Sequence, residues 1–216
     1  MDAYRSLSQA DQAAQLGAED LELLATSAFM LGRDDDCLNS LERAHHAYLD
    51  AGEAMRAVRC AFWMGINLAI RGETSRATGW LNRAQRLVER EEGDCVERGY
   101  LLVPVMLRHE ATGDLDAAYA AAASAAEIGE RFGDRDLLAL AVHEQGLILL
   151  NQGRVEEGLG LVDEAMVEVT TGGLSPIVTG IVYCSVICLL QCDLGLSGGV
   201  CAAPRPGMDH RPVAVV

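Results

Sequence analysis

The chain contains no lysine. All 17 of its basic residues are arginine, set against 32 aspartates and glutamates, for a net charge of −15 over 216 residues. That balance argues against binding of nucleic-acid phosphates by this chain alone, because such affinity comes from clustered cations. It equally repels an anionic membrane surface. Without lysine, a G-x-x-x-x-G-K-[ST] phosphate loop is impossible. The chain also lacks a G-x-S-x-G nucleophile elbow and any cysteine-nucleophile signature. Cys-x-x-Cys zinc spacing is missing, and the His109–Glu110 and His143–Glu144 pairs lack the second histidine of a zincin. The N-terminus, MDAYRSLSQADQAAQ, is polar and has no basic-then-apolar leader. These absences predict a cytoplasmic chain that is not an enzyme and takes no cofactor or metal. Its seven cysteines, odd in number and irregularly spaced, are expected to be reduced.

Half of the residues are hydrophobic and 23% are charged, so the chain forms a core and is not disordered over most of its length. The abundance of Ala, Gly and Arg without Lys points to a GC-rich gene.

An internal repeat organises the rest. GRDDDCLNSLERA from Gly32, GETSRATGWLNRA from Gly72, GDLDAAYAAAASA from Gly113 and GRVEEGLGLVDEA from Gly153 align, with glycines 40, 41 and 40 residues apart. Each segment ends in an alanine: Ala44, Ala84, Ala125 or Ala165. An apolar run of helical length precedes each glycine: LELLATSAFML, CAFWMGINLAIR, YLLVPVMLRHEAT and LALAVHEQGLILLNQ. Each unit reads as helix–turn–helix. Glycine ends the first helix in a left-handed cap, and the acids that follow suit the positive N-terminus of the second. Small residues recur where helices must approach: Gly65 and Gly146 in first helices, and Cys37, Ala77, Ala118 and Gly158 in second helices. One hairpin is too thin to bury its apolar faces, so neighbours must stack. Pro104 should kink or delay the first helix of the third unit. The first nineteen residues read as one more second-type helix opening the array.

The glycine–acid turns and small-residue positions resemble tetratricopeptide repeats. The expected fold is therefore all-α, with tetratricopeptide-like hairpins stacked into a right-handed superhelix, an α-solenoid. About four and a half hairpins occupy residues 1–192, followed by an irregular Gly/Pro-rich tail, 193–216. Three longer strings carry a closer likeness: RFGDRDLLALAVHEQG (131–146), GLGLVDEAMVEVT (158–170) and LSPIVTGIVYCSVI (174–187). They resemble the repeat region of large bacterial LuxR-type transcriptional regulators, in which such an array precedes a C-terminal helix-turn-helix domain. The resemblance spans residues 3 to about 192 and implies a sensory or protein-interaction module. No helix-turn-helix segment follows it in this sequence.

The tail departs from that pattern. A fifth turn is due near Asp193, where the sequence instead runs DLGLSGGVCAAPRPGMDHRPVAVV. The resemblance implies a continuation like LRRAREWTxALxxWC. Back-translating residues 202–216 one base later permits LRRAREWTTALSRWC, with the tryptophan forced by Met208 followed by Asp209. A frame change between about Cys192 and Gly198 would account for this, and a natural low-complexity tail is the alternative.

Residues 169–192 carry no charge, and 174–192 are apolar enough to raise the question of a membrane span. Repeat phase instead makes this segment the first helix of a fifth unit, with one apolar face uncovered, which predicts self-association through 174–192. Cys184, Cys188 and Cys192 share one helical face and read as packing residues in preference to a metal site. Cys37 reads as packing, and Asp34–Asp36 as a solvated helix start. The resemblance implies that first helices line a concave groove. Repeat phase then assigns Arg59, Phe62, Ile66, Tyr100, Val103 and His143 to it as partner-binding candidates; Phe62, Ile66 and Val103 read equally well as core. Trp63 and Trp80 are expected to pack between repeats. The leading functional expectation is a regulatory interaction module that takes a protein or peptide segment, with basic partners favoured by charge. A small-molecule effector sensor and a truncated product without function remain as alternatives.

Overall fold

The computed structural model of the protein describes residues 2–188; Cys192, the 193–216 tail and the proposed frame change lie outside them. Eleven helices make up the described residues: α1 (Asp2–Ala13), α2 (Ala18–Met30), α3 (Asp34–Asp50), α4 (Ala54–Ile70), α5 (Thr74–Val88), α6 (Glu97–Tyr100), α7 (Leu102–Thr112), α8 (Leu115–Phe132), α9 (Arg135–Asn151), α10 (Val155–Thr171) and α11 (Pro176–Cys188). They pair as antiparallel hairpins α2/α3, α4/α5, α6–α7/α8 and α9/α10, with α1 packed on α2 at one end and α11 on α9 and α10 at the other. The fold is an α-solenoid of stacked hairpins.

The turn chemistry runs at half the period visible in the sequence. Gly32, Gly72, Gly113 and Gly153 are left-handed, and so are Gly52, Gly133 and Gly172 midway between repeats, with φ from 65° to 82°. After six of these seven glycines the next residue's N–H reaches back to close the helix end: Arg33 donates to the Ala28 carbonyl, Glu53 to Tyr48, Glu73 to Leu68, Asp114 to His109, Asp134 to Gly129 and Arg154 to Leu149. Helices therefore end the same way within hairpins and between them. Asp114 and Asp134 then cap the next helix, accepting from the N–H of Ala117 and Leu137. Asp34, Asp35 and Asp36 fill the first turn of α3, as expected.

The exception is the join between α5 and α8. No left-handed glycine follows α5. A single turn, α6, comes first, the chain breaks at Leu101, and α7 starts with Pro104 in its first turn. There proline's missing N–H is harmless. Pro104 thus delays the helix, as the sequence predicts.

Close approaches occur at the predicted small residues. A Cβ on Gly146 would sit 2.9 Å from the Gly158 carbonyl oxygen, and one on Gly158 2.8 Å from that of Gly146, so α9 and α10 cross backbone to backbone. Cys37, Ala77, Ala118 and the four repeat-end alanines are all buried. Trp63 on α4 packs against three separate groups of buried side chains, which places it between repeats. Trp80 is half-buried against the first of these.

The array also meets itself. α11 touches α2 as well as α9 and α10, so the last described helix reaches the first hairpin. Its inward side chains Ile177, Val178, Val182 and Val186 are buried. No helix among the described residues is long and apolar enough to span a bilayer. The packing expected of Cys184 and Cys188 needs correction: both lie on the exposed face of α11, because Ile177, Val178, Val182 and Val186 occupy the buried one.

Candidate functional site

Five of the six residues assigned to the groove come together. α4 supplies Arg59, Phe62 and Ile66, α6 supplies Tyr100, and α7 supplies Val103; all but Arg59 belong to one apolar cluster with Leu137 and Ala141 of α9. Phe62 meets Trp63 and Tyr100 edge-on, with ring centroids 5.0 and 5.2 Å apart.

Arg59 closes this cluster. Its guanidinium lies 4.2 Å over the Tyr100 ring and donates to the Tyr100 hydroxyl (3.1 Å), to Glu97 Oε1 (3.3 Å) and to Asp134 Oδ2. The Tyr100 hydroxyl in turn donates to Asp134 Oδ1 at 2.9 Å. Asp134 therefore caps α9, accepts a hydrogen bond from the Tyr100 hydroxyl and balances Arg59 at once. Burial opposes the Arg59 charge, and Tyr100, Asp134 and Glu97 outweigh that opposition, leaving its pKa raised. Desolvation pushes the Tyr100 phenol upward too, so it stays protonated and donates.

This geometry changes the role of the sequence candidates. Phe62 and Tyr100 are each 1% exposed and His143 is 0%, so they present no side-chain surface to a partner. Ile66 and Val103 are partly buried against the same cluster. Side chains of α4, α6, α7 and α9 in this cluster pack against one another, and elsewhere α11 closes the array onto α2. His143 stands apart from the other five, its Nε2 bonded to Ser185 Oγ of α11 at 2.9 Å, while its Nδ1 has no partner. Desolvation brings its pKa down to about 4. The neighbouring Glu144 is pushed up to about 8, by burial first and by Glu110 second.

The buried thiols of Cys37 and Cys60 hold their protons. Burial, with Asp34 nearby, raises Cys37 to about 12, and burial and Glu22 raise Cys60 further. A thiol that keeps its proton is a poor nucleophile. No group of three or more His, Cys, Asp or Glu among the described residues is placed to hold a metal ion.

Two open depressions lie on the surface of the described residues, among others. One, of about 540 Å³, is lined by Gly32, Arg33, Asp34, Asp35, Asp36 and Arg71. Both of its arginines are neutralised from within it, Arg33 by Asp36 at 3.1 Å and Arg71 by Asp35 at 2.8 Å. The other, of about 290 Å³, lies along α5 between Arg76, Gly79, Trp80, Arg83 and Arg86. Sequence reasoning passed over this second site and over Glu97 and Asp134, and set Glu144 aside with His143 as an incomplete zinc motif. The available signals were the Gly-Asp turn that Asp134 shares with Asp114, and the lack of any acid from Thr74 to Val88.

No family model matches the chain, and no curated protein matches it. Among solved structures, the crystal structure of BtubC (BKLC) from P. vanneervenii is similar, with a TM-score of 0.49 and 15% identity over 92% of this chain and 71% of that one. The crystal structure of the apo form of RapI is similar with a TM-score of 0.46 and 12% identity, over 90% of this chain and 55% of that one.

Proposed function

We propose that this chain is a regulatory protein-interaction module that works through protein contacts and not through catalysis. Within that reading it corresponds to the repeat region of a LuxR-type transcriptional regulator, with DNA contact made by another domain. The observation that carries the interaction reading is the outward face of α11. Tyr183 is 51% exposed and Ile187 37%, with Cys184 beside them, and no helix among the described residues covers them. Repeat phase puts the next helix of the array against this face, so an apolar helical surface of a partner or of a second copy fits it.

The test is affinity capture with the purified chain at micromolar concentration, beside light scattering for self-association. Wild type should capture a protein or form a dimer, and Tyr183→Glu with Ile187→Glu should lose that contact. A chain that is monomeric and captures nothing overturns the reading. The regulator assignment is tested separately by the gene. A shifted-frame LRRAREWTTALSRWC over codons 202–216, followed by a helix-turn-helix, supports it; a different shifted string removes it.

A further inference from the structure

We propose that the outer groove of α5 is a second, independent interaction surface that takes an acidic peptide segment, with Arg83 and Arg86 binding its carboxylates and Trp80 packing its apolar side chains.

The argument starts from charge. Acids make up about one residue in seven of this chain, yet α5, Thr74–Val88, has none and carries Arg76, Arg83 and Arg86. α4 is also free of acids, but its arginines are neutralised from neighbouring segments: Arg56 by Glu19, Glu22 and Glu53, and Arg59 by Glu97 and Asp134. On α5 only Arg76 has a carboxylate partner, Glu73 at 2.6 Å. Arg83 and Arg86 have none among the described residues. In a molecule of charge −15, two unpaired guanidiniums on one face mark where an anionic group is favoured over solvent.

Shape adds to charge. Residues 76, 79, 80, 83 and 86 follow helical spacing, so they form one stripe. Arg83 lies 5.5 Å from the centroid of the Trp80 ring. Trp80 is held from beneath by the buried His45, edge-on at 5.3 Å, so it is a fixed platform. Gly79 leaves a gap in the stripe; a Cβ there would meet nothing within 4 Å, so inward packing does not require the glycine. From Arg76 to Arg86 the stripe runs about 15 Å, too long for its cations to converge on one small anion. Three cations are also too few to hold a polynucleotide against the molecule's net charge. A peptide with spaced carboxylates and an apolar residue between them matches both the length and the chemistry.

The probe is a fluorescein-labelled peptide of sequence Glu-Glu-Leu-Glu-Glu-Leu-Glu, titrated by anisotropy into the full chain at low salt. Wild type should bind it, with affinity falling as salt rises. Arg83→Glu with Arg86→Glu should weaken binding at least about tenfold, whereas Arg5→Glu with Arg108→Glu, the same charge change elsewhere, should leave most of it. Gly79→Leu, which fills the gap and keeps every charge, should also weaken binding while the circular dichroism melt is unchanged or higher. No binding by wild type overturns the proposal. Equal loss in the two charge-reversal variants overturns it as well, since the effect would then be one of net charge. Tighter binding of single-stranded DNA than of the peptide does so too. The α11 variant of the preceding test should bind the peptide normally, so the two surfaces stand or fall separately.

Discussion

Arg59 and Asp134, 75 positions apart in the chain, are joined side chain to side chain. Their contact links the second hairpin to the N-terminus of α9 and seals the inner cluster around Phe62 and Tyr100. The pair is mostly out of water, with side-chain exposures of 29% and 14%. Removing one partner strands the other. Asp134→Ala should therefore destabilise the chain by about 3 kcal/mol, from the lost pair and the lost helix cap together. Urea unfolding measures this. In a double-mutant cycle with Arg59→Met, the two losses should be clearly less than additive.

The Gly146–Gly158 crossing gives a second prediction. Gly146→Ala should cost about 1–3 kcal/mol, because the nearest obstacles include the Gly158 carbonyl and a backbone nitrogen, neither of which can rotate away. Gly160→Ala, two residues further along the same helix α10 and with nothing within 4 Å, should stabilise by about 0.5–1 kcal/mol. Thermal melts of the two variants should move in opposite directions.

Adjacent residues on α9 set opposing pH dependences. The Glu144 carboxyl, raised from 4.5 to about 8, stays protonated in the fold while the unfolded chain ionises, so stability falls as pH rises between those values. His143, lowered from 6.5 to about 4, stays neutral in the fold while the unfolded chain takes a proton, so stability falls as pH drops across that window. Glu144→Gln should thus gain about 1–3 kcal/mol over wild type at pH 8 and little at pH 4. His143→Phe should flatten the acid side of the profile, whatever its effect at neutral pH. Denaturant midpoints across this range check both.

The left-handed turns supply a local prediction. Gly133→Ala places a Cβ at φ 65°, and should cost about 1 kcal/mol although nothing crowds the site. The melt of this variant should fall while its helical circular dichroism stays the same.

The amino-acid sequence by itself determined the repeat, because its signals are local. A glycine that must turn left-handed, an acid at a helix start and a small residue at a crossing each leave a mark within a few positions, and Gly32, Gly72, Gly113 and Gly153 keep those marks in phase. Even so, Gly52, Gly133 and Gly172 carry the same turn and went unread, since the strings around them differ more than their backbone does. The placement of Arg59, Phe62 and Tyr100 near one another followed from repeat phase. Only the tertiary structure decided that they bond and pack against one another. The reason is long-range packing: α11 meets α2, and no local pattern encodes a contact between segments so far apart in the chain. The same packing pairs the arginines of α4 with carboxylates from neighbouring segments and leaves Arg83 and Arg86 of α5 without an ion pair among the described residues. Net charge, which the composition states plainly, favours basic partners for the molecule as a whole. Where each charge is neutralised is a property of the packed chain, and it singles out one outer helix for acidic ones.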